Sequence, residues 1–391
     1  MIRTGRNHAD SSAHLSPAAV PPAQGAFASG NSDFAFIDWL RGIAALLVVY
    51  FHFDLYVLHQ YPATPIPPGS FTDLFVFGHF DLGKYAVGVF FMVSGFLIPS
   101  TLTGANASLR RFATHRFFRL YPAYWLSLLV FVAVEYASGR ASALSWPALL
   151  VNVTMLQNLF GVPDALGVYW TLLIELIFYA ACAFLFLIGR LHDRETTVLI
   201  TLAAGLGCAA WRYTSGAMLP VALFIALALM FVGDALRAYA DGRTDMSRVV
   251  RLTALTAITL LPICLLSYGA NAPRYVLTYW VAAGTFLAMF SLRARIGRTA
   301  GAKHIGRFLA DCSYSVYLLH GPIGMTLATL VYVRSGNAVL AALAMFGSTL
   351  SAAYASFRLV EAPGVRLGRS MDQPAFDPTR PAAHPGNQPD R

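Results

Sequence analysis

Ten predominantly apolar runs, each close to the ~20 residues needed to cross ~30 Å of hydrocarbon, lie at about 36–58, 84–103, 117–137, 168–189, 196–213, 217–236, 250–268, 275–292, 312–333 and 337–358. Runs of this length and number predict an all-α polytopic membrane bundle of about ten transmembrane helices. Composition agrees with that reading. Hydrophobic residues make up 57% of the chain and charged ones only 12%, against roughly 25% charged in an ordinary soluble domain.

The net charge of +9 raises the possibility of a nucleic-acid partner, and its distribution excludes one. If the N-terminus faces the cytosol, 23 of the 28 basic residues fall on the cytosolic side and only Lys84, Arg140, Arg212, Arg274 and Arg334 fall outside. That is the positive-inside pattern, with both termini cytoplasmic, and it makes the charge topological. The expected location is integral to a membrane. Four cysteines, at 182, 208, 264 and 312, sit inside apolar runs and read as small hydrophobes, not as disulfides or metal ligands. Residues 1–34 are rich in Ala, Ser, Pro, Gly and Asn and read as a disordered tail. Residues 361–391 are taken as a short polar, Pro-rich tail. Between them, 35–360 forms the membrane domain. Two longer outside loops are expected, at about 59–83 and 138–167; the second contains "WPALLVNVTMLQNLF" at 146–160, expected to lie at the interface or to re-enter partly.

Polar residues inside such spans are expensive and tend to mark function. Arg41 and His52 bracket "RGIAALLVVYFH" and stand eleven positions apart. At 100° per residue they are about 20° past three full turns, so they share one face and are separated by roughly 16 Å along the axis. Asp38, one turn before Arg41, is placed to hold its guanidinium by an i,i+3 pair. The plainer reading makes Arg41 an interfacial anchor and His52 a hydrogen-bonded core histidine. In "YWTLLIELIFYA" Glu175 lies about two turns into the fourth span, a depth expected to match that of His52. It is either a structural acid or the partner that orients the imidazole for proton transfer. "RFATHRFFRLYP" crowds Arg111, His115, Arg116 and Arg119 at the cytosolic entrance of the third span. Arg116 and Arg119, one turn apart, are spaced to grip one anion together. "CSYSVYLLHGP" places Ser313, Tyr314, Tyr317 and His320 early in the ninth span, as a binding cluster or a self-satisfied polar patch beside Pro322. Ser94 has no Gly-x-Ser-x-Gly elbow around it and, with Gly95, is assigned to close helix packing.

As an ordered set these segments resemble the integral-membrane acyltransferase family 3, the O-acyltransferases of bacterial surface polysaccharides and some small natural products. The resemblance runs from about Phe36 to Phe357 through "IDWLRGIAALLVVYFHF", "GVFFMVSGFLI", Arg116-x-x-Arg119 before "LYPAYW", "NVTMLQNLF", "YWTLLIELIFY" and "SYSVYLLHGP". It implies that Arg41 and His52 are the family's essential Arg-x10-His pair, that Arg116 and Arg119 are its Arg-x-x-Arg motif associated with the acyl-CoA donor, and that Glu175 is its acidic residue. Many members carry a second acid directly after that Glu, where this chain has Leu176. Members fused to a soluble esterase-like domain exist, and the short C-terminal tail leads us to expect none here.

The combined expectation is a membrane O-acyltransferase. His52, Glu175 and Arg41 are its catalytic candidates. Arg116, Arg119 and Arg41 hold the phosphates of acyl-CoA, acetyl-CoA in particular, as donor substrate. Tyr179, Trp170, Ser313, Tyr317 and His320 contact substrate. No metal is called for, and the expected partners are acyl-CoA, membrane lipids and a carbohydrate, glycolipid or small natural-product acceptor. A proton-coupled transporter with His52 and Glu175 as relay groups, or a receptor without turnover, would carry the same buried ionisable residues.

Overall fold

The structure, a computed structural model, describes residues 34–59, 69–104, 107–139, 144–296 and 300–371. The expected N-terminal tail apart from Phe34, the Pro-rich part of the first outside loop and residues 372–391 lie outside the described residues.

All regular structure among the described residues is helical. α1 (Ala35–His52) continues as a π-helical turn to Leu58. α2 (Leu82–Leu97), α3 (Leu109–Ala137), the short α4 (Trp146–Asn152), α5 (Trp170–Leu187), α6 (Arg194–Ser215), α7 (Val221–Ala240), α8 (Met246–Tyr268) and α9 (Ala272–Ser291) follow. α10 (Ala300–Leu319) passes through a π-helical turn, His320–Met325, into α11 (Thr326–Ser335). α12 (Ala338–Ser356) passes through another, Phe357–Glu361, into α13 (Ala362–Ser370). Among the described residues, eight helical stretches are long and apolar enough to cross a membrane. One of them, Met246–Ser291, is the hairpin of α8 and α9, in which the Trp280 indole N–H reaches back 3.0 Å to the Ala257 carbonyl across the turn. That stretch holds two helices, and α6 packs against α7 and α8.

Lipid offers no hydrophobic drive between helices, so small residues that permit close approach carry much of the packing. A Cβ on Gly95 of α2 would collide with the Met230 carbonyl of α7, and one on Gly233 of α7 with the Met92 carbonyl of α2. The two helices therefore touch backbone to backbone, as the packing role expected of Gly95 requires. α1 packs against α10, with Gly42 seated against Leu309 and Gly306 against Trp39. Phe36 meets Phe96, Phe286 and Phe290 edge to face, with ring centroids 5.7, 5.8 and 5.9 Å apart. Such pairs are each worth about 0.5–1.5 kcal/mol beyond their burial. They fix α1 against α2 and α9.

Residues 144–169 form neither a surface loop nor a crossing. The Tyr124 hydroxyl of α3 donates to the Asn152 carbonyl at 2.5 Å, the Tyr121 hydroxyl to Thr154 at 2.9 Å and the Trp125 indole to Val153 at 3.0 Å. Tyr124 is thirteen residues before the end of α3, about 20 Å at 1.5 Å per residue, so this segment is inserted deeply along α3. Non-helical backbone at such depth survives only when protein satisfies it, and these side chains do so. Buried Met155 turns the segment with a left-handed φ of +65°, a conformation costly for a residue with a side chain. As a consequence α5 begins deep: Tyr169, just before it, bonds Ser127 of α3 at 2.9 Å.

The C-terminal boundary expected at residue 361 also moves. Glu361 is buried, 1% exposed, and α13 packs on α3, Gly364 and Gly368 lying against Pro122 and Phe118. Pro363 sits in the first turn of α13, where a missing N–H is tolerated.

Candidate active site

Both marks of the Arg41–His52 face meet α10. The buried Arg41 guanidinium donates from Nη2 to Ser313 Oγ at 3.1 Å, and Ser313 passes its own proton to the Ala310 carbonyl at 2.7 Å. Asp38 acts on Arg41 electrostatically, as do Asp311 and Arg307; the latter two form their own pair at 3.3 Å. Eleven residues further on, His52 Nδ1 lies 2.9 Å from the Val48 carbonyl and 3.3 Å from Nε2 of His320. The two imidazole centroids are 4.9 Å apart, and the Tyr56 ring stacks on His52 at 5.8 Å and 5°. His52 is the last residue of α1 before its π-helical turn, and His320 opens the π-helical turn after α10. Such local rewinding often accompanies functional sites. The residues Ser313 and His320 thus join the Arg-x10-His face at its two levels.

Between those levels lies a partly open cavity of about 100 Å³. Its polar wall includes Arg41, Arg119, Glu175, Ser313, Tyr314 and Tyr317, and α2 supplies a wall from Val87 to Leu97 that is apolar except for Ser94. The Tyr179 hydroxyl, also on the wall, donates to Glu175 Oε1. Glu175 lies within electrostatic reach of both Arg41 and Arg119. At the other end Tyr317 bonds Thr171 at 2.7 Å and the Val168 carbonyl at 3.0 Å, and its ring centroid is 6.0 Å from that of His320. The histidine pair therefore sits just beyond Tyr317. Trp170 is half-buried at the start of α5 and does not line the cavity.

The structure does not bring Glu175 to His52. Thr171, level with Tyr317, is one turn before Glu175 on a helix running the opposite way, while His320 is one turn beyond Tyr317 in the other direction. Adding the two steps of four and three residues at 1.5 Å each separates Glu175 from the histidine level by roughly 10 Å. The expected match of depth assumed that α5 starts at the membrane edge, and the inserted segment 144–169 pushes its start inward. Glu175 belongs to the arginine end.

The basic cluster of α3 divides by helical face. Arg110 and Arg111 are exposed, His115 is half-buried, and Arg116 and Arg119 are buried. Arg116 donates to Thr101 Oγ1 at 3.2 Å and lies over the rings of Phe112 and Tyr179 at 5.5 and 5.4 Å. Arg119 lies over the Tyr314 ring at 5.5 Å and is ion-paired with Glu361. The carboxylate of Glu361 also accepts from Ser315 at 2.9 Å. Sequence reasoning missed Glu361 by placing it in a tail; its one signal was a lone acid directly following the last apolar run. Among the described residues no group of three or more His, Cys, Asp or Glu is placed to hold a metal.

A family model described as an acyltransferase domain matches residues 34–358. The chain is 28% identical over 311 residues to the exopolysaccharide production protein ExoZ of Rhizobium meliloti (strain 1021), covering 75% of this chain and 92% of that protein. It is 23% identical over 369 residues to the peptidoglycan O-acetyltransferase OatA of Listeria monocytogenes, covering 84% of this chain but 55% of that protein, so it spans about half of that relative's length. Nodulation protein 10 of Rhizobium leguminosarum bv. viciae is 27% identical over 146 residues, 32% of this chain and 40% of that protein. No solved structure matches.

Proposed function

The chain belongs to the acyltransferase family whose model spans residues 34–358, as an integral-membrane acyltransferase, and from that premise we propose that it transfers an acetyl group from acetyl-CoA to a hydroxyl of a carbohydrate or glycolipid, in a bacterial cytoplasmic membrane. The observation that carries this reading is the cavity itself, with Arg41 and Arg119 in its wall and the His52–His320 pair just past Tyr317. A donor with several phosphates and one reactive thioester needs such a division. Cations hold the anionic end, and a proton acceptor waits where the acyl carbon arrives. The names of the Rhizobium meliloti and Listeria relatives both concern glycans, which supports a carbohydrate acceptor.

In this reading the phosphates approach from the exposed Arg110 and Arg111 side, and the thioester arm passes Arg116, Arg119 and Arg41 toward His52. Glu175 and Tyr179 shape the arginine end. Ser313 holds Arg41 in place, and Trp170 and Tyr317 border the path by which substrate meets the histidine. A hydroxyl is a poor nucleophile at neutral pH, so a positioned base supplies about 10²–10⁴-fold. The acceptor oxygen bonds to the acyl carbon, the carbon–sulfur bond breaks, and His52 takes the hydroxyl proton and returns it to the departing CoA thiolate.

The test is to incubate membranes containing the protein with labelled acetyl-CoA and to follow label into surface glycan, with mass spectrometry of the glycan from cells with and without the gene. A mass gain of one acetyl group that depends on the protein supports the assignment. Movement of an intact substrate across the membrane without consumption of acetyl-CoA would replace it with transport.

A further inference from the structure

We propose that His320 is the positioning residue for His52, taking the place that a carboxylate holds beside many catalytic histidines, and that His52 presents Nε2 as the base. This rests on the reading of His52 as proton acceptor and deepens it. The argument is one of donor and acceptor bookkeeping at four ring nitrogens. A backbone carbonyl only accepts. His52 Nδ1 lies 2.9 Å from the Val48 carbonyl and His320 Nδ1 lies 3.2 Å from the Val316 carbonyl, so each Nδ1 carries the hydrogen. The remaining nitrogen of each neutral ring is an unprotonated Nε2.

The inter-ring contact is compatible with this assignment. It joins His52 Nδ1 to His320 Nε2 at 3.3 Å, so the one Nδ1 hydrogen of His52 is shared between the Val48 carbonyl, the nearer acceptor at 2.9 Å, and the His320 lone pair. The reverse tautomer at His320 would leave its Nδ1 lone pair against a carbonyl oxygen and press an Nε2 hydrogen against the one on His52. His52 Nε2 makes no hydrogen bond among the described residues, and it is the nitrogen left for an incoming hydroxyl. When that hydroxyl proton arrives, His52 becomes an imidazolium whose Nδ1–H is already shared between the Val48 carbonyl and the His320 lone pair. His320 is fully buried, and its contact to Val316 fixes the ring. A buried neutral imidazole thereby orients the base and spreads its transient charge without introducing a permanent carboxylate, consistent with Glu175 lying about 10 Å away.

The experiment compares His320→Leu with His320→Gln in full-length protein in native membranes, using labelled acetyl-CoA and the membranes' own acceptor, with His52→Ala alongside. Leucine fills the volume without an acceptor, whereas the glutamine carbonyl oxygen accepts from Nδ1–H. His320→Leu is expected to lower kcat about 10- to 100-fold, less than the ~10²–10⁴-fold that the base as a whole contributes, with the KM for acetyl-CoA unchanged. His320→Gln recovers most of that loss. Equal defects in the two variants at matched thermal stability, or a Leu variant as active as the parent, would overturn the proposal. Turnover retained by His52→Ala would instead sink the base assignment itself. Should the Leu variant not fold, nitrogen-15 histidine spectra of the unaltered protein decide. The Nδ1–H form of both rings is expected, and an Nε2–H form of His52 contradicts the assignment.

Discussion

The two ends of the cavity meet the cost of buried polar groups in opposite ways. At the arginine end the protein uses formal charges in ion pairs and charge clusters: Arg119 with Glu361, and Arg41 with Glu175, Asp38 and Asp311 around it. At the histidine end His52 Nδ1 and both nitrogens of His320 bond carbonyls and each other, with no carboxylate in hydrogen-bond contact among the described residues. The difference follows from what each end handles. Standing charge suits a permanently anionic ligand, and a neutral pair suits a proton that arrives and leaves. A carboxylate beside His52 would hold the proton on it more tightly and slow its return.

The sharpest way to break this division is His52→Ala. Loss of the base should lower kcat about 10²–10⁴-fold and leave the KM for acetyl-CoA unchanged, measured as label transferred in membranes. A large shift in KM with modest loss of kcat would mean that the histidine end also binds donor. Next in size is a double-mutant cycle at the arginine end. Glu361→Leu leaves the buried Arg119 guanidinium without its ion-pair partner and should cost about 3–5 kcal/mol of stability, whereas Arg119→Leu with Glu361→Leu removes both charges and should recover most of it. The double variant is nevertheless expected to saturate poorly with acetyl-CoA. Normal donor saturation in a well-folded double variant would take Arg119 out of the donor site.

These pairs also show what could be read from the residues. The spacing of Arg41 and His52 is enough to put them on one face, because helical periodicity is local. The same logic groups Ser313, Tyr317 and His320 and pairs Arg116 with Arg119, but the helix carrying the first group begins at Ala300 and not near 312, so the cluster lies at its end and not early in its span. Depth was not legible in the same way. Glu175 is two turns into an apolar run, yet where that run begins is set by hydrogen bonds from Tyr121, Tyr124 and Trp125 to residues more than twenty-five positions away. No pattern within the run carries that information. Glu361 was hidden for a related reason: it stands at the start of the stretch assigned to a polar, Pro-rich tail, and a π-helical turn carries the chain back against α3 and α10 instead.

Glu175→Gln tests the reassignment of that residue directly. With the acid at the arginine end, replacing it with a neutral isostere should raise the KM for acetyl-CoA about tenfold, in line with the loss of one charge-assisted interaction, and change kcat by less. A collapse of kcat with KM intact, matching His52→Ala, would return Glu175 to the histidine and erase the distinction between the ends.

The smallest expected effect lies at the inserted segment that creates the separation. Tyr124→Phe removes the hydroxyl that holds the Asn152 carbonyl while keeping the ring packed 4.7 Å from Tyr169. One neutral hydrogen bond is worth about 0.5–1.5 kcal/mol, and the bonds from Tyr121 and Trp125 remain, so the thermal midpoint in detergent should fall by only a few degrees. The informative reading is kinetic. If the insertion sets the depth of α5, loosening it moves Glu175 and Thr171 together, and donor KM should change before kcat does. An effect confined to kcat would place the influence of the insertion at Tyr317 and the histidine pair, which bond to or abut its last residues through Val168.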